Sequence, residues 1–563
     1  MSLLVDILMN VVNLLRNAFS RVLRRRPPDF VWLHITGSLP ELDDACPNLL
    51  RRRLDPWSSP PSLEGIRSRL DRILADGRPH GVLLRIENLD AGWASLEELR
   101  QELHRFRSNG KKVVAYLVDP DTRSYYLAAA GDEVFATPLA TLNTVGLRAR
   151  VNFLKDTLDL AGLRTEVVAV SPYKSAYGTF SRSDFSPEAR EQTERLLDQR
   201  YKEIVAVISD ERGLPPEEVR NLIDLAPYPA REAVRNGLLD GVFYEDELSR
   251  RLGEGSPARL AEWGVARRSL RLPYRRHRAR KVVGLVSIRG TIVRGSSRRL
   301  PIPLPLLGRE QAGSDSVVAA LRVAEKSRRV GAVLLHVDSP GGDALASDLI
   351  WREVQRIDAK KPVVILMGNT AASGGYYVSA AASRVFARKN TITGSIGVIL
   401  TRPVAAELLN KLKVNPVTIA RGARSNLLDP RRAPTPDELY ILNQQLQTFY
   451  REFKDRVEQG RNLDPRVLEE VAGGRVWTGT EALELSLVDE IGSFTDALDE
   501  ARRLAGIPEG TTGAFVRVTP PRGPRPMPGG YAREAVEGVS DALSELGEAR
   551  VWALAPYEIS DGW

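Results

Sequence analysis

The sequence predicts an α/β protein built as two tandem homologous domains, each a mainly parallel sheet with helical crossovers. Three observations carry that prediction. Short apolar runs alternate with segments of helical periodicity, the pattern of strands joined through crossover helices. The pattern occurs twice, in order, at a nearly fixed offset. Leu83-Leu84-Arg85-Ile86-Glu87 returns as Leu334-Leu335-His336-Val337-Asp338, Tyr125-Tyr126-Leu127 as Tyr376-Tyr377-Val378, and Thr144-Val145-Gly146 as Ser395-Ile396-Gly397, each 251 residues later. Finally, 563 residues exceed what one hydrophobic core serves, and the repeated unit is far longer than a solenoid repeat.

Taken in order, residues 1–27 open the chain with an amphipathic helix. Leu4, Ile7, Leu8, Val11, Leu15, Phe19 and Val22 recur at helical spacing, and Arg24-Arg25-Arg26 follow. Asp6 and Arg16 are too costly in hydrocarbon for a spanning helix. Residues 1–26 are therefore expected at a membrane surface; the other arrangement is a helix docked on the protein itself or in an oligomer contact. A secretory signal peptide is disfavoured, because no basic segment precedes the apolar run and no small-residue cleavage site follows it. Residues 28–265 form the first domain, with strands expected at Phe30 to Ile35, Val82 to Ile86 and Val113 to Val118, and helices at Leu63 to Ala75 and Leu96 to Ser108. Residues 266–281 read as a basic linker. Residues 282–508 form the second domain, with a buried strand expected at Val363 to Met367, then a tight turn, then a helix from near Ser373. Residues 509–563 are a tail: a Pro/Gly-rich stretch, a short helix at Tyr531 to Gly547, and an apolar end expected to dock.

Composition narrows the class. An apolar fraction of 43% is ordinary for a globular protein. The net charge of +8 comes from 80 basic against 72 acidic residues, with the excess in short runs such as Arg51-Arg52-Arg53 and Arg275 to Lys281. Those runs lack interleaved aromatics, which argues against nucleic-acid binding. The single cysteine, Cys46, excludes an internal disulfide. No apolar run is long enough to span a bilayer. The reading calls for no metal and no cofactor.

The chemistry is expected in the segment Val363 to Ala382. Ser373 stands where a strand hands over to a helix, where free N–H groups and the helix dipole favour negative charge. A serine there can attack a carbonyl while the Gly374 N–H receives the oxyanion. Taken alone, the same residues also describe a helix-capping serine beside a glycine turn. The contrast between the halves favours the nucleophile. The second half carries Asp338-Ser339-Pro340-Gly341-Gly342 after a strand, a turn able to offer a Gly342 N–H to the oxyanion. The first half has Glu87-Asn88-Leu89-Asp90-Ala91 there, and Pro120-Asp121-Thr122-Arg123-Ser124 in place of the serine and glycines.

A serine nucleophile needs a base. His34 and His336 fall inside apolar strands and are expected in the core, His80 and His104 read as surface residues, and His277 sits in the linker. The alternative base is a lysine. The first half has Ser171-Pro172-Tyr173-Lys174-Ser175-Ala176, and the second has Gly422-Ala423-Arg424-Ser425-Asn426 in register. Lysine can release its proton in a protein, whereas arginine cannot. The half that lost the serine thus keeps the base, Lys174, and the half that keeps the serine lacks one. A free lysine titrates near ~10.4 and a useful base near ~7–8, so the site must form in a largely dry interface. Ser395, in Thr393-Gly394-Ser395-Ile396-Gly397, is a supporting candidate as a partner of the amine; it is equally described as a turn serine.

Four motifs in this order resemble the signal peptide peptidase A (SppA, protease IV) family in its long two-domain form: Tyr173 to Ala176, Asp338 to Ala344, Asn369 to Tyr377 and Thr393 to Val398. The resemblance covers about residues 30–505. It implies the ClpP/crotonase fold, a Ser373/Lys174 dyad, cleavage of membrane-derived peptides such as remnant signal peptides, a homo-oligomeric (tetrameric) ring, and association with the bacterial inner membrane. Members usually carry an N-terminal spanning helix, and this chain departs from that. The Pro-rich loop Arg298 to Gly308 and the tail are not covered. Two rival readings are an acyl-CoA enzyme of crotonase type, which explains the glycine turn but not Ser373 with Lys174, and a non-catalytic membrane-associated scaffold.

Overall fold

The computed structural model describes residues 10–18, 26–43, 61–271, 280–304, 307–508, 515–521 and 550–554. In the first half the apolar runs form β1 (Phe30–Gly37), β2 (Gly81–Leu89), β3 (Lys112–Leu117) and β4 (Glu133–Ala136), interleaved with α1 (Leu63–Leu74), α2 (Trp93–Ser108) and α3 (Thr122–Ala128). With β6 (Gly241–Val242) and β7 (Leu260–Glu262) they make a six-stranded, fully parallel sheet in the order β6-β4-β3-β2-β1-β7. The strands read as continuous apolar runs because helices cover both faces. Between β4 and β6 the chain leaves this sheet as β5 (Arg164–Ala169).

The second half repeats the scheme. β8 (Val282–Arg289), β12 (Val330–Ser339) and β14 (Val363–Ala372) are its parallel centre. β15 (Arg384–Ala387) and β16 (Ile392–Gly394) pair successive parts of β14. β18 (Val476–Thr478) and β19 (Phe515–Arg517) close the two sides. Among its helices are α4 (Ala344–Asp358), capped by the Asp343 carboxylate on the Ala346 N–H, and α5 (Gly374–Ser379). A third sheet draws on the whole chain, in the order β10-β11-β9-β13-β20-β17-β5. Its further members are β9 (Thr291–Val293), β10 (Arg298–Leu304), β11 (Gly308–Gly313), β13 (Gly341–Asp343), β17 (Ile399–Val404) and β20 (Arg550–Leu554). Its two ends are β10, from the second half, and β5, from the first.

Several expectations need correction. β14 does not stop at Met367 before a turn; it runs on to Ala372 and meets α5 directly, because its far end finds a second partner in β16. The segment expected as a Pro-rich loop instead forms β10 and leads into β11, and Pro301 and Pro303 sit in that edge strand, where a missing N–H costs no ladder bond; residues 305–306 lie outside the described residues. The basic linker begins inside a helix, Trp263–Ser269, with Ala266 buried; residues 272–279 lie outside the described residues, as does the expected helix at 531–547.

A buried ion network joins the halves. The Arg388 guanidinium, wholly shielded from solvent, donates to Glu98 at 2.8 Å and to Glu41 at 2.9 Å. Arg67 reaches the same Glu98 at 2.5 Å and Glu102 at 2.8 Å. Beside Glu98 in α2, Glu97 accepts the backbone N–H groups of Lys389 and Asn390. The end of β14 is tied to the first half by Asn369, whose amide bonds the Ser95 N–H and hydroxyl at 3.1 and 2.8 Å. These contacts fix the serine-bearing strand against α2.

Candidate active site

Ser373 occupies the junction of β14 and α5 with φ 54° and ψ −113°, a conformation that costs a non-glycine residue of order 1–3 kcal/mol. Its N–H donates to the Gly394 carbonyl at 2.8 Å, so β16 holds it in place. Its side chain caps no helix N–H. The simpler reading of this residue as a capping serine therefore fails, and the Oγ is free to serve another group.

That group is Lys174. β5 pairs antiparallel with β17 from Arg164↔Val404 to Ala169↔Ile399, which carries a first-half segment into the second half. Beyond it the Ser171 hydroxyl donates to the Gly473 carbonyl. The Lys174 Nζ then lies 2.6 Å from the Ser373 Oγ and 2.9 Å from both the carbonyl oxygen and the Oγ of Ser395. Lys174 is 1% exposed, Ser373 and Ser395 are 0%. Burial, unopposed by any carboxylate, holds the Lys174 pKa well below the ordinary lysine range. The Nζ donates to the Ser373 Oγ, the Ser395 carbonyl oxygen and the Ser395 Oγ.

The candidate oxyanion glycines also meet. β13 opens with Gly341 at φ 102°. A Cβ built on Gly374 would stand 3.1 Å from the Gly342 nitrogen and 2.5 Å from the Ser347 hydroxyl, so only glycine permits the approach of α5 to β13. The Ser339 hydroxyl accepts the Gly341 N–H at 3.1 Å and steadies the turn.

None of the described histidines bonds Ser373. His336 is buried, as expected, and desolvation lowers its pKa to about 4. His34 is not in the core: its side chain is 43% exposed, because β7 covers β1 only over Phe30 to Trp32. Two contributors to the site escaped the sequence reading, the Arg475 carbonyl and Gly474, which position the expected Ser395 and Lys174. Ser395 has φ 53°, and its N–H donates to the Arg475 carbonyl at 2.6 Å, so the 473–475 turn sets its position. A Cβ on Gly474 would fall 2.7 Å from that of Lys174. The adjacent pair Gly473-Gly474 was the available signal.

A family model for peptidase family S49 matches residues 105–258 and again 355–508, and one for Clp protease matches 308–394. The chain belongs to peptidase family S49. Within S49 it is similar to the chloroplastic serine protease SPPA of Arabidopsis thaliana, at 34% identity over 79% of this chain and 66% of that protein. It is 30% identical to Protease 4 of Haemophilus influenzae, over 76% of this chain and 71% of the relative. A putative signal peptide peptidase SppA of Enterococcus faecium is 37% identical over 35% of this chain and 58% of its own length. The S49 membership makes this chain a serine-type peptidase with tandem ClpP-like domains.

Proposed function

We propose that the protein is a serine endopeptidase in which Lys174 is the general base for Ser373, and that it hydrolyses membrane-derived peptides such as signal-peptide remnants. The observation that carries this reading is the 2.6 Å contact between the Lys174 Nζ and the Ser373 Oγ in a dry site. Neutral Lys174 takes the hydroxyl proton as the Oγ attacks the peptide carbonyl. The N–H groups of Gly342 and Gly374 receive the oxyanion. The ammonium, held by Ser395, then protonates the departing amine, and water hydrolyses the acyl-enzyme by the same proton path. The substrate class follows the printed name of the Enterococcus faecium relative. Mass spectrometry of the products from an unstructured apolar peptide tests the reading, with Ser373→Ala as control. Cleavage by the wild type alone, with a fluorophosphonate probe labelling Ser373, is the expected result. Thioester turnover without peptide cleavage would favour the acyl-CoA alternative.

The same reading includes a membrane surface and a homo-oligomer. Residues 10–18 are helical, with Asn13 buried while Val11, Val12, Leu14 and Leu15 face solvent. Apolar residues turned outward suit a lipid interface. Among the described residues no helix is long and apolar enough to cross a membrane. For assembly, the support is the repeat itself. β5 is paired by β17, whereas the second-half equivalent of β5, near 415–420, and the first-half equivalent of β17, near 148–153, carry no strand partner among the described residues. Val417 and Ile419 are 86% and 85% exposed. Pairing these two segments between neighbours repeats the internal contact head to tail, the kind of contact that builds a ring when its rotation closes. Deleting residues 1–26 should release the protein from anionic liposomes, and Val417→Lys with Ile419→Lys should dissociate the assembly in native mass spectrometry.

A further inference from the structure

The amino-terminal helix, residues 10–18, is turned inside out. Asn10, Asn13 and Asn17 share one face by their spacing; Asn13 is buried, the other two are half-buried, and each has a partner. The opposite face carries Val11, Leu14 and Leu15, which are 48%, 67% and 61% exposed. A helix on a water-facing surface does the reverse. Cations gather beside it. Burial, then Arg16 of this helix and Arg267, hold the Arg72 guanidinium of α1 below its ordinary range, and Arg72 donates to the Arg267 carbonyl at 2.5 Å. Arg267 belongs to the helix Trp263–Ser269, whose next residue, Arg268, lines a cavity of about 360 Å³. The frame of that cavity is rigid: β1 pairs with β7 from Phe30↔Leu260, and the Asp29 N–H donates to the Arg259 carbonyl at 2.8 Å. Pro28, Leu260 and Val265 are its apolar lining, and Arg26, Arg259 and Arg268 its charges. Asp29 pairs with Arg259 at 3.2 Å. Arg26 and Arg268 are exposed and have no partner among the described residues.

We propose that this cavity binds the phosphodiester of an anionic phospholipid, still seated in its bilayer, between Arg26 and Arg268. Two unpaired guanidiniums suit the oxygens of one phosphate. The apolar lining suits the glycerol and the first acyl carbons, and the cavity falls within the ~300–1,000 Å³ of small-ligand sites. The outward stripe of Val11, Leu14 and Leu15 calls for the same occupant. A bilayer surface covers apolar residues and presents phosphates beside them, whereas a free anion would satisfy the arginines and leave the stripe in water. Resting on the reading of residues 1–26 as a membrane contact, the site extends that contact to the folded first half, through Arg268 and Val265.

Vesicle flotation of the full-length chain tests this without touching residues 1–26. Phosphatidylglycerol vesicles are compared with vesicles brought to the same surface potential by oleate, which offers carboxylate and no phosphate. Arg268→Gln should weaken binding to the phosphatidylglycerol vesicles about fivefold, and leave binding to the oleate vesicles and peptide turnover in detergent unchanged. Equal weakening on both kinds of vesicle would reduce Arg268 to general surface charge and overturn the site. Val265 is 63% exposed, so the fold tolerates Val265→Asp. The added carboxylate should weaken binding to phosphatidylglycerol at least as much, and undiminished binding would equally count against the site. Millimolar inorganic phosphate at fixed ionic strength should not release the protein; release would assign the cavity to a free anion. The two levels separate cleanly. If the wild type does not float with phosphatidylglycerol vesicles, the membrane reading of residues 1–26 has failed and this site with it. If the wild type floats and both variants float equally well, only the cavity has failed.

Discussion

The same junction, strand into helix, is built twice and used in opposite ways. In the first half Asp121 precedes α3 with φ −103°, and its carboxylate accepts the Ser124 N–H at 2.8 Å. It is an ordinary helix cap. In the second half Ser373 stands at φ 54°, caps nothing, and its Oγ accepts from the Lys174 Nζ. One copy satisfies its helix; the other leaves the helix N–H groups open and accepts backbone strain. The Ser373 geometry is supplied by neighbours, namely β16, the 473–475 turn and the α2 contact, and not by the local sequence.

The largest expected effect that bears on this comparison is loss of activity. Ser373→Ala and Lys174→Arg should each lower kcat by about 10³-fold or more, because a guanidinium keeps the charge but cannot act as base. Near-wild-type turnover by either purified variant would end the assignment. Next comes the support. Arg388→Met removes one partner of a buried network and should cost about 3–5 kcal/mol in urea unfolding; a change below 1 kcal/mol would show that the halves are positioned by other contacts.

Lys174 gives a pH signature with a definite sign. The unfolded lysine holds its proton up to about 10.4, while the folded one releases it at lower pH. Between the two values the unfolded state binds more protons, so stability rises with pH, by about 1.4 kcal/mol per unit. Turnover should rise through the lowered pKa as the amine becomes neutral. Lys174→Met should be inactive, more stable at neutral pH, and free of that slope. A melting temperature with the same pH dependence in both proteins would place the lysine outside the dry site. The smallest effect is the most direct contrast: Asp121→Ala should cost about 1 kcal/mol through the lost cap, whereas Ser373→Gly should gain about 1 kcal/mol through relieved strain.

Much of this was legible in the residues. The apolar runs around Leu84 and Leu335 located the central strands, and opposite losses in the two copies pointed to Ser373 and Lys174 together. What escaped was non-local. β14 extends to Ala372 only because β16 pairs with its end, and a strand's length cannot be read without its partner. The dihedral angles of Ser373 and Ser395 are imposed by the Gly394 and Arg475 carbonyls, with no local residue demanding them. His34 looked buried from its apolar neighbours, but exposure there depends on how far β7 runs alongside. The tail was apolar enough to dock, yet the gap that receives it exists only between two folded strands.

The third sheet sets an order of assembly in time. Lys174 and Ser373 are 199 residues apart, roughly 10–40 s of synthesis at ~5–20 residues per second. Through that interval the nascent chain holds Lys174 without the serine it contacts. Once Ser373 has emerged, a further ~10–40 s passes before Leu554 leaves the ribosome and β20 can form. The Lys174–Ser373 contact and the strand beside Gly341 are thus late products of translation, and a chain truncated within its first half contains neither Ser373 nor that strand.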